Sequence, residues 1–261
     1  MIEFNIFDGG KPMAATMSFD DGVIPDRRLI SIFDKYGIKG TFHLNSGLFS
    51  TPNRVEAADV REIYKNHEVA LHGREHLTLT ELPVHNMAVE VFEDKKLLEA
   101  LCKYPIIGMS YANGAYDERV LRVLSDCGVK YSRTVWDTGR FILPEDFLRW
   151  HPTCHYIKSE RLADEFIRKG RAGTLLYVWG HAYEFDRDDN WNIIENVCKK
   201  LSQCDNIWFA TNAQIYNYVT AQRRLVISAD NKIVHNPSFC DVWFRCNGQP
   251  VRICGGQTLY L

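Results

Sequence analysis

The first 222 residues alternate between short apolar runs and longer amphipathic segments. The apolar runs are rich in β-branched and aromatic residues, which is typical of buried parallel strands. They lie at residues 14–19, 40–44, 68–72, 106–110, 129–135, 148–151, 174–180 and 206–210. The segments between them have helical spacing and helix-end signals such as Pro25 and Gly37. The alternation predicts an α/β fold in which helices connect the strands of a parallel sheet.

Residues 84–103 form the longest amphipathic segment. Its apolar residues recur at about helical spacing: Val84, Met87, Val91, Leu98 and Leu101. Glutamates and lysines occupy the other positions, so the pattern predicts a helix with an apolar face and an opposite charged face.

The number of strand candidates favours a barrel over an open sheet, although periodicity alone does not distinguish the two. Five residues capable of polar contacts lie at or near predicted carboxyl ends of strands: Asp20, His72, Tyr111, Arg133 and His181. In (β/α) barrels the active site is built at this rim. The pattern therefore favours a barrel with these residues gathered at one end.

Beyond residue 222 the pattern changes to short strand-like runs separated by turn signals such as Asn247-Gly248 and Gly255-Gly256. We therefore expect two parts, a barrel at 1–222 and a small β-rich appendage at 223–261. A segment this short rarely forms a core of its own, so it should pack on the barrel. We interpret it as a structural lid or a dimer contact, with a carbohydrate-binding module as the alternative.

Two adjacent carboxylates, Asp20 and Asp21, follow the first strand candidate and precede Gly22. Asp is disfavoured in strands and like charges repel, so folding alone does not favour this pair. A bound cation would compensate the charge, with one carboxylate as its ligand and the other as a base facing the bound water. The alternative is structural, with Asp20 capping the next helix and Asp21 in a turn.

Two histidines four residues apart, His72 and His76, follow another strand candidate. With a carboxylate they would supply three ligands and leave a position open for water, the usual arrangement of a catalytic zinc ion. Cobalt or nickel would also suit imidazole and oxygen donors. His181 follows the strand candidate at 174–180, where it would act as a general acid or, alternatively, be a core histidine bonded to a carbonyl group.

These segments together resemble the polysaccharide deacetylase family, also called the NodB-homology or carbohydrate esterase family 4 domain. Three of its motifs match in order and spacing across roughly residues 14–220, most of the chain: Ser18-Phe19-Asp20-Asp21-Gly22, His72 with His76, and the strand Tyr177-Val178-Trp179-Gly180 followed by His181. The resemblance implies a distorted (β/α) barrel, often with seven strands. It also implies Asp21, His72 and His76 as metal ligands, Asp20 as the general base and His181 as the general acid.

Two of the family's motifs differ here. Ser110 stands where the third motif has the arginine that orients the base aspartate, so Asp20 needs another partner. Arg133, on the predicted next strand, is our candidate, and a surface arginine with no catalytic role is the alternative. The fourth motif, an Asp-Trp pair that tunes the acid histidine, occurs in reversed order as Trp136-Asp137, which makes Asp137 the candidate there.

Four further residues are candidates for contact with the substrate: Tyr111, Trp136, His151 and Glu184. The aromatic rings would stack on a sugar, and the backbone N–H of Tyr111 would stabilise the oxyanion. Glu184 would hold the imidazole of His181 or contact the substrate. For each of them a purely structural role is the alternative.

The activity implied by the resemblance is hydrolysis of an N-acetyl or O-acetyl group on a sugar or oligosaccharide, assisted by a divalent metal ion, for which we expect zinc. The same family also covers amide and cyclic-imide hydrolases, so a non-sugar amide is a second candidate substrate. A third hypothesis comes from a different class of function. It is a catalytically idle carbohydrate-binding protein on the same scaffold.

Composition and charge limit the classes of binding partner and the cellular location to be expected. The chain has 261 residues, 46% of them hydrophobic, and a formal net charge of −2, which argues against nucleic acid or an anionic membrane. No apolar stretch is long enough to span a bilayer, and the first residues lack the features of a secretory signal. We therefore expect a cytoplasmic protein whose eight cysteines, none in a C-x-x-C pair, are reduced. A metal site formed by Cys240, Cys246 and Cys254 is the less favoured alternative.

Overall fold

The computed structural model describes residues 1–261, which form fourteen strands and eight α-helices. The strands, in chain order, are β1 (Ile2–Glu3), β2 (Met13–Asp20), β3 (Gly40–Leu44), β4 (Glu68–Leu71), β5 (Gly108–Ser110), β6 (Tyr131–Arg133), β7 (Cys154–His155), β8 (Thr174–His181), β9 (Ile207–Phe209), β10 (Val226–Ile227), β11 (Ile233–His235), β12 (Val242–Cys246), β13 (Gln249–Ile253) and β14 (Thr258–Tyr260). The helices are α1 (Asp26–Tyr36), α2 (Val60–Ile63), α3 (Val84–Cys102), α4 (Glu118–Asp126), α5 (Ser159–Lys169), α6 (Ala182–Arg187), α7 (Trp191–Ser202) and α8 (Asn212–Arg223).

The main sheet is parallel throughout and runs in the order β6-β5-β4-β3-β2-β8-β7, with β9 also paired to β2. All eight residues of the central strand β2 are buried. β8 pairs with β2 along its whole length, β9 with its first three residues and β3 with its last four. This curled sheet, with seven strands in sequence, β9 as an eighth strand beside β2 and helices as connections, confirms the predicted distorted (β/α) barrel.

The segment between β6 and β8 differs from the prediction. The expected strand at 148–151 is a 3₁₀ turn followed by a single parallel bridge from Trp150 to Arg133. The chain then crosses to the other edge of the sheet, where the N–H of Thr153 donates to the carbonyl of Tyr177 at 2.8 Å. There it forms the short β7, which was not predicted, because two residues show no periodicity.

The amino end of α8 closes the barrel at the amino ends of its strands. The side chain of Asn212 accepts from the Thr16 hydroxyl at 2.8 Å and donates to the Tyr177 hydroxyl at 2.5 Å. The next backbone N–H, that of Ala213, donates to the buried carboxylate of Glu68 at 2.8 Å. This buried polar network fills the barrel interior at the amino ends of the strands, opposite the rim where (β/α) barrels build their active sites.

Helix α3 confirms the helix predicted at residues 84–103, but the expectation that its charged residues all face away from the protein is wrong. Met87, Val91 and Leu98 are buried as expected, yet Glu90 and Asp94 are buried as well. Buried carboxylates require hydrogen-bond donors, and here the donors are backbone N–H groups of loops at the barrel rim.

The appendage at residues 223–261 (the tail) forms two small antiparallel sheets together with β1. Their strand orders are β1-β12-β13 and β10-β11-β14, and they pack against α8. Tyr218 and Gln222 of α8 both donate to the carbonyls of Ile6 and Trp243. The division at residue 222 stays a prediction. However, the structure pairs β1 with β12 and so places the first residues of the chain in the tail's sheet. A two-residue strand has no sequence pattern that could reveal this pairing.

No helix in the structure combines the length and apolar composition needed to cross a bilayer. The eight cysteines are unpaired, and Cys102, Cys154 and Cys198 are buried. Only two groups of three potential metal donors lie close together in the structure, and neither contains a cysteine. The alternative of a metal site in the tail is therefore not supported.

Candidate active site

Carboxylates and imidazoles from three strands meet at the carboxyl rim of the barrel. β2 ends at Asp20, which lies opposite His181 at the end of β8 in the sheet register. Asp21 follows directly, and the chain after β4 supplies His72 and His76. Asp20 Oδ2 is 3.8 Å from His72 Nε2 and 3.9 Å from His181 Nε2. The structure thus brings together all five residues of the three matched motifs.

Asp21, His72 and His76 form a compact donor set. Asp21 Oδ1 lies 3.9 Å from His72 Nε2 and 3.7 Å from His76 Nε2, and the three ligand atoms fall within 4.8 Å of one another. These separations exceed a hydrogen bond, and Asp21 Oδ1 is buried without a hydrogen-bond partner. One carboxylate and two imidazoles facing one point suit zinc. Asp21 Oδ1 has the Arg54 guanidinium 3.4 Å away but accepts no hydrogen bond, so this oxygen is available as a ligand for a cation.

Ser110 fixes the ring of His72. His72 Nδ1 lies 3.0 Å from the Ser110 carbonyl and 2.7 Å from its hydroxyl, so Nε2 faces Asp21. The same hydroxyl donates to Asp20 Oδ1 at 3.1 Å. A metal-binding histidine needs such a bond on its second nitrogen to fix its tautomer. The sequence identified Ser110 only as the position of a missing arginine. In the structure its hydroxyl bridges the imidazole of His72 and the carboxylate of Asp20.

The backbone at two of the donors is left-handed. Asp21 has φ 86° and His76 has φ 59°, values uncommon for residues other than glycine. Such conformations cost on the order of 1–3 kcal/mol and persist only where surrounding contacts enforce them. At Asp21 the enforcing contact is the Arg54 guanidinium, which donates to the Asp21 carbonyl.

The two buried carboxylates of α3 hold the histidine loop. Glu90 accepts the backbone N–H groups of Glu75 at 2.7 Å and Leu77 at 3.4 Å, on either side of His76. Asp94 accepts the N–H of His72 at 3.3 Å, and burial raises the pKa of Asp94 to about 7. These supporting residues were missed because their amphipathic positions suggested a solvent-facing surface.

Arg133 lies against Asp20 inside the barrel. Its guanidinium donates to Asp20 Oδ2, and the side chains are 0% and 2% exposed. Burial alone would raise the pKa of Asp20, but Arg133, aided by three nearby histidines, outweighs burial and holds the pKa well below its usual range. The alternative of a surface arginine is therefore excluded, while the role of Arg133 in orienting a base stays a prediction.

Asp137 does not reach His181. Its carboxylate accepts the indole N–H of Trp179 at 2.9 Å and pairs with Lys158 at 3.0 Å. The Trp179 ring in turn lies 4.4 Å from the guanidinium carbon of Arg133. The expectation that Asp137 tunes the acid histidine is corrected by this geometry, because its oxygens are used on the Arg133 side of the barrel.

His181 is paired instead with Glu184. Glu184 Oε2 lies 3.3 Å from His181 Nδ1 and 2.9 Å from His155 Nε2. Burial opposes a charged imidazole, but Glu184, Asp20 and Asp21 outweigh it, so the pKa of His181 is raised. Glu184 thus contacts the imidazole of His181, and its role in holding that ring stays a prediction.

His43 is a buried neutral imidazole beneath the site. It lies opposite Asp20 on β3, and its Nδ1 is 3.2 Å from the Leu71 carbonyl. Burial lowers the pKa of His43, and Arg133 and His72 lower it further. Together these effects outweigh Asp20, which raises it, and bring the pKa to about 3. His43 is therefore neutral at neutral pH and helps to lower the pKa of Asp20 only at acid pH, where its imidazole is protonated.

Three predicted substrate contacts lie apart from this cluster. The Tyr111 ring is buried, its hydroxyl donates to the Leu148 carbonyl at 2.6 Å, and its N–H donates to the Arg133 carbonyl at 3.1 Å. Neither group is free for a substrate or an oxyanion, because both are used within the fold. Trp136 is 69% exposed and packs on His151, with ring centroids 5.1 Å apart. Trp136 and His151 stay predictions as substrate contacts.

Comparisons with known proteins agree with this geometry. Residues 8–132 match the family model described as polysaccharide deacetylase, a range that contains the first two motifs. No curated protein matches the chain in sequence.

Solved structures share the fold at low sequence identity. A protein from Mycobacterium smegmatis assigned as a polysaccharide deacetylase has a TM-score of 0.65 at 17% identity, over 83% of this chain and 93% of that one. A family 4 acetyl xylan esterase from Clostridium thermocellum, in complex with a cobalt ion, has a TM-score of 0.55 at 15% identity, over 78% and 90%. A family 4 pseudoenzyme from Bacillus anthracis has a TM-score of 0.51 at 17% identity, over 79% and 65%. At these identities the likenesses establish the fold alone.

Proposed function

Because residues 8–132 match the polysaccharide deacetylase family model, we propose that the protein is a member of this family and a metal-dependent hydrolase that removes an acetyl group from an N-acetylated or O-acetylated sugar or oligosaccharide. One observation carries the proposal. A candidate base, a candidate acid and a three-donor cation site meet at the open end of the barrel, with Asp20 within 4 Å of both His72 and His181.

Asp21, His72 and His76 would hold the cation. Zinc is the expected ion, and cobalt or nickel would suit the same donors. When bound, the ion supplies Lewis-acid polarisation of the acyl carbonyl and lowers the pKa of a water molecule at the site. Ser110 keeps the Nε2 atom of His72 directed to this point, because its own oxygens occupy Nδ1.

Asp20 acts as the general base. Arg133 keeps its carboxylate ionised, and its Oδ1 is oriented by the Ser110 hydroxyl. The carboxylate takes a proton from the attacking water as the carbon–oxygen bond forms. The low pKa of Asp20 limits its strength as a base, so the water must be made more acidic for this transfer, as a bound cation would do.

His181 acts as the general acid. Its Nε2 lies 3.9 Å from Asp20 Oδ2, on the side facing the proposed reaction centre. The protonated imidazole gives its proton to the departing amine or hydroxyl as the acyl bond breaks, which yields acetate and the free sugar group. Its raised pKa favours the protonated form that this step requires.

The test uses full-length protein loaded with zinc and assayed for acetate release from N-acetylated glucosamine oligosaccharides and from acetylated xylan. We expect release by the wild type, and loss of release in Asp20→Asn with about one equivalent of metal retained by mass spectrometry. Glu165→Gln, which changes a half-buried carboxylate on α5 that pairs with Lys169, is the matched control and should keep wild-type activity. Binding of the oligosaccharides without release would leave the idle carbohydrate-binding protein as the function, and release from non-sugar amides alone would leave the amide hydrolase.

A further inference from the structure

His155, His181 and Glu184 form a second polar cluster beside the proposed reaction centre. The carboxylate oxygen Glu184 Oε2 is 2.9 Å from His155 Nε2, 3.3 Å from His181 Nδ1 and 3.1 Å from the backbone N of His181. One oxygen therefore faces three nitrogen atoms. Glu184 was a sequence candidate for holding His181, but no pattern in the sequence indicates His155, which comes from a separate strand.

The local fold fixes the carboxylate. His181 ends β8 and stands at the amino end of α6, and Glu184 lies three residues into that helix. In this position the glutamate side chain folds back to accept the N–H of His181, as in a capping box. β7 runs beside β8 with His155 opposite Trp179, which brings the second imidazole to the same oxygen. Backbone and side-chain donors together leave Glu184 little freedom.

The two ring nitrogens of His181 face different carboxylates. Nδ1 faces Glu184, and Nε2 faces Asp20 at 3.9 Å. The Nδ1 contact lies off the direction of a hydrogen bond, so it is an ion pair when His181 is protonated. The rings of Tyr183 and Trp179 flank the imidazole at centroid distances of 5.2 and 5.8 Å. The ring orientation therefore depends on Glu184 on one side and on aromatic packing around it.

We propose that Glu184 is the positioning residue of the general acid His181, and that His155 acts as a second positioning residue by holding the Glu184 carboxylate. This inference rests on the proposed function, because it assigns support for the acid of that reaction. Asp137, the residue first expected in this role, is bonded to Trp179 and Lys158. The support for the acid thus comes from the residues that follow His181 and from the neighbouring strand.

The charges agree with this assignment. Burial would raise the pKa of Glu184, but His155 and His181 outweigh burial and hold it well below its usual range. The carboxylate is therefore ionised at neutral pH. The charged groups that face His181 are Glu184, Asp20 and Asp21, and all three favour the imidazolium. Glu184 is the one among them that touches Nδ1, so it can favour protonation without blocking Nε2.

The same three side chains also offer donor atoms within 4.8 Å of one another, so a cation is the rival occupant. A cation on Nδ1 would prevent His181 from carrying the proton it must donate. The two interpretations therefore exclude each other, and metal content distinguishes them.

The experiment compares zinc-loaded full-length wild type with Glu184→Gln, and uses Glu165→Gln as the matched control. ¹⁵N-histidine NMR gives the titration midpoint of His181, and acetate release gives kcat, KM and the pH profile. In Glu184→Gln we expect the midpoint and the alkaline limb of kcat to fall together by about one pH unit, and kcat to fall about 10- to 100-fold at nearly constant KM. His155→Gln keeps an N–H donor and should retain more activity than His155→Phe.

An unchanged His181 midpoint in Glu184→Gln would overturn the proposal, as would equal activity of the two His155 variants. A second equivalent of zinc in the wild type that is lost in Glu184→Gln would assign the cluster to a cation instead. The NMR titration does not require turnover. If the wild type releases no acetate but the His181 midpoint is still lower in Glu184→Gln than in wild type, the hydrolase proposal is refuted. The pairing of His181 with Glu184 is then still supported.

Discussion

Replacing Arg133 by methionine gives the sharpest test of how the protein keeps a carboxylate charged inside a barrel. Arg133 and Asp20 are almost fully buried, and their side chains are in direct contact. Methionine has a similar length and preserves most of the packing, but it leaves the Asp20 charge without its cation. Removing one partner of a buried pair typically costs about 3–5 kcal/mol of folding free energy.

The structure favours the lower end of that range. Two further guanidinium nitrogens of Arg133, Nε and Nη1, are buried without hydrogen-bond partners, so the substitution also removes unsatisfied polar atoms. Loss of the contact with the Trp179 ring, about 0.5–2 kcal/mol, acts in the opposite direction. We therefore expect Arg133→Met to lose about 3 kcal/mol at pH 7.

Equilibrium urea unfolding of chelator-treated protein measures the loss, with Arg27→Met as control. Arg27 pairs with Asp59 at 2.6 Å, but both side chains are about half exposed, so its removal should cost less than about 1 kcal/mol. The lowered pKa of Asp20 stabilises the wild type above the usual pKa of an aspartate, and this contribution is lost as the pH falls toward the folded value. The difference between Arg133→Met and wild type should therefore shrink at acid pH. A loss equal to that of Arg27→Met at pH 7 would refute the reasoning.

Three other predictions concern separate parts of the molecule. Ser110→Ala removes the hydroxyl that contacts His72, so zinc affinity in a competition assay should fall about 10- to 100-fold, and an unchanged affinity would contradict the role of Ser110. Burial raises the pKa of Asp26 from 3.8 to about 8, so its neutral form stabilises the fold below pH 4 and this contribution is lost as the pH rises through 8. From pH 4 to pH 8 the unfolding free energy of wild type should therefore fall by roughly 3–5 kcal/mol relative to that of Asp26→Asn. Parallel pH curves for the two proteins would show that Asp26 ionises freely. Trp136→Ala should raise KM for oligosaccharides several-fold at constant kcat, and equal KM values would exclude the exposed ring as a binding surface.

The rim residues could be predicted because parallel strands place their carboxyl ends at one edge. Asp20, His72 and His181 each follow an apolar run, and a run of that kind is visible in the sequence alone. Arg133 was found in the same way, since it ends β6 two strands from β4. For these residues the local pattern and the topology give the same answer.

The supporting residues could not be predicted, because their partners are defined only through space. Glu90 and Asp94 occupy ordinary charged positions of an amphipathic helix, and only the loop packed on that helix makes them buried acceptors. Glu184 was a sequence candidate for holding His181, but its contact with His155 was missed, because β7, which carries His155, has two residues and no periodicity. Asp137 shows the reverse error, since a match of residue types in a motif does not fix the direction of a side chain.

The order of strands has a consequence for how the chain must fold during synthesis. β2, the central strand, lies near the beginning of the chain, but its long partner β8 begins at residue 174, and β1 pairs with residues 245 and 246. At a translation rate of roughly 5–20 residues per second, β1 waits on the order of ten seconds to a minute for its partner. During that interval the predominantly apolar β2 has an open edge and no barrel around it. Full-length nascent chains should therefore acquire protease resistance late and in one step, and they should depend on chaperones that shield exposed strands until then.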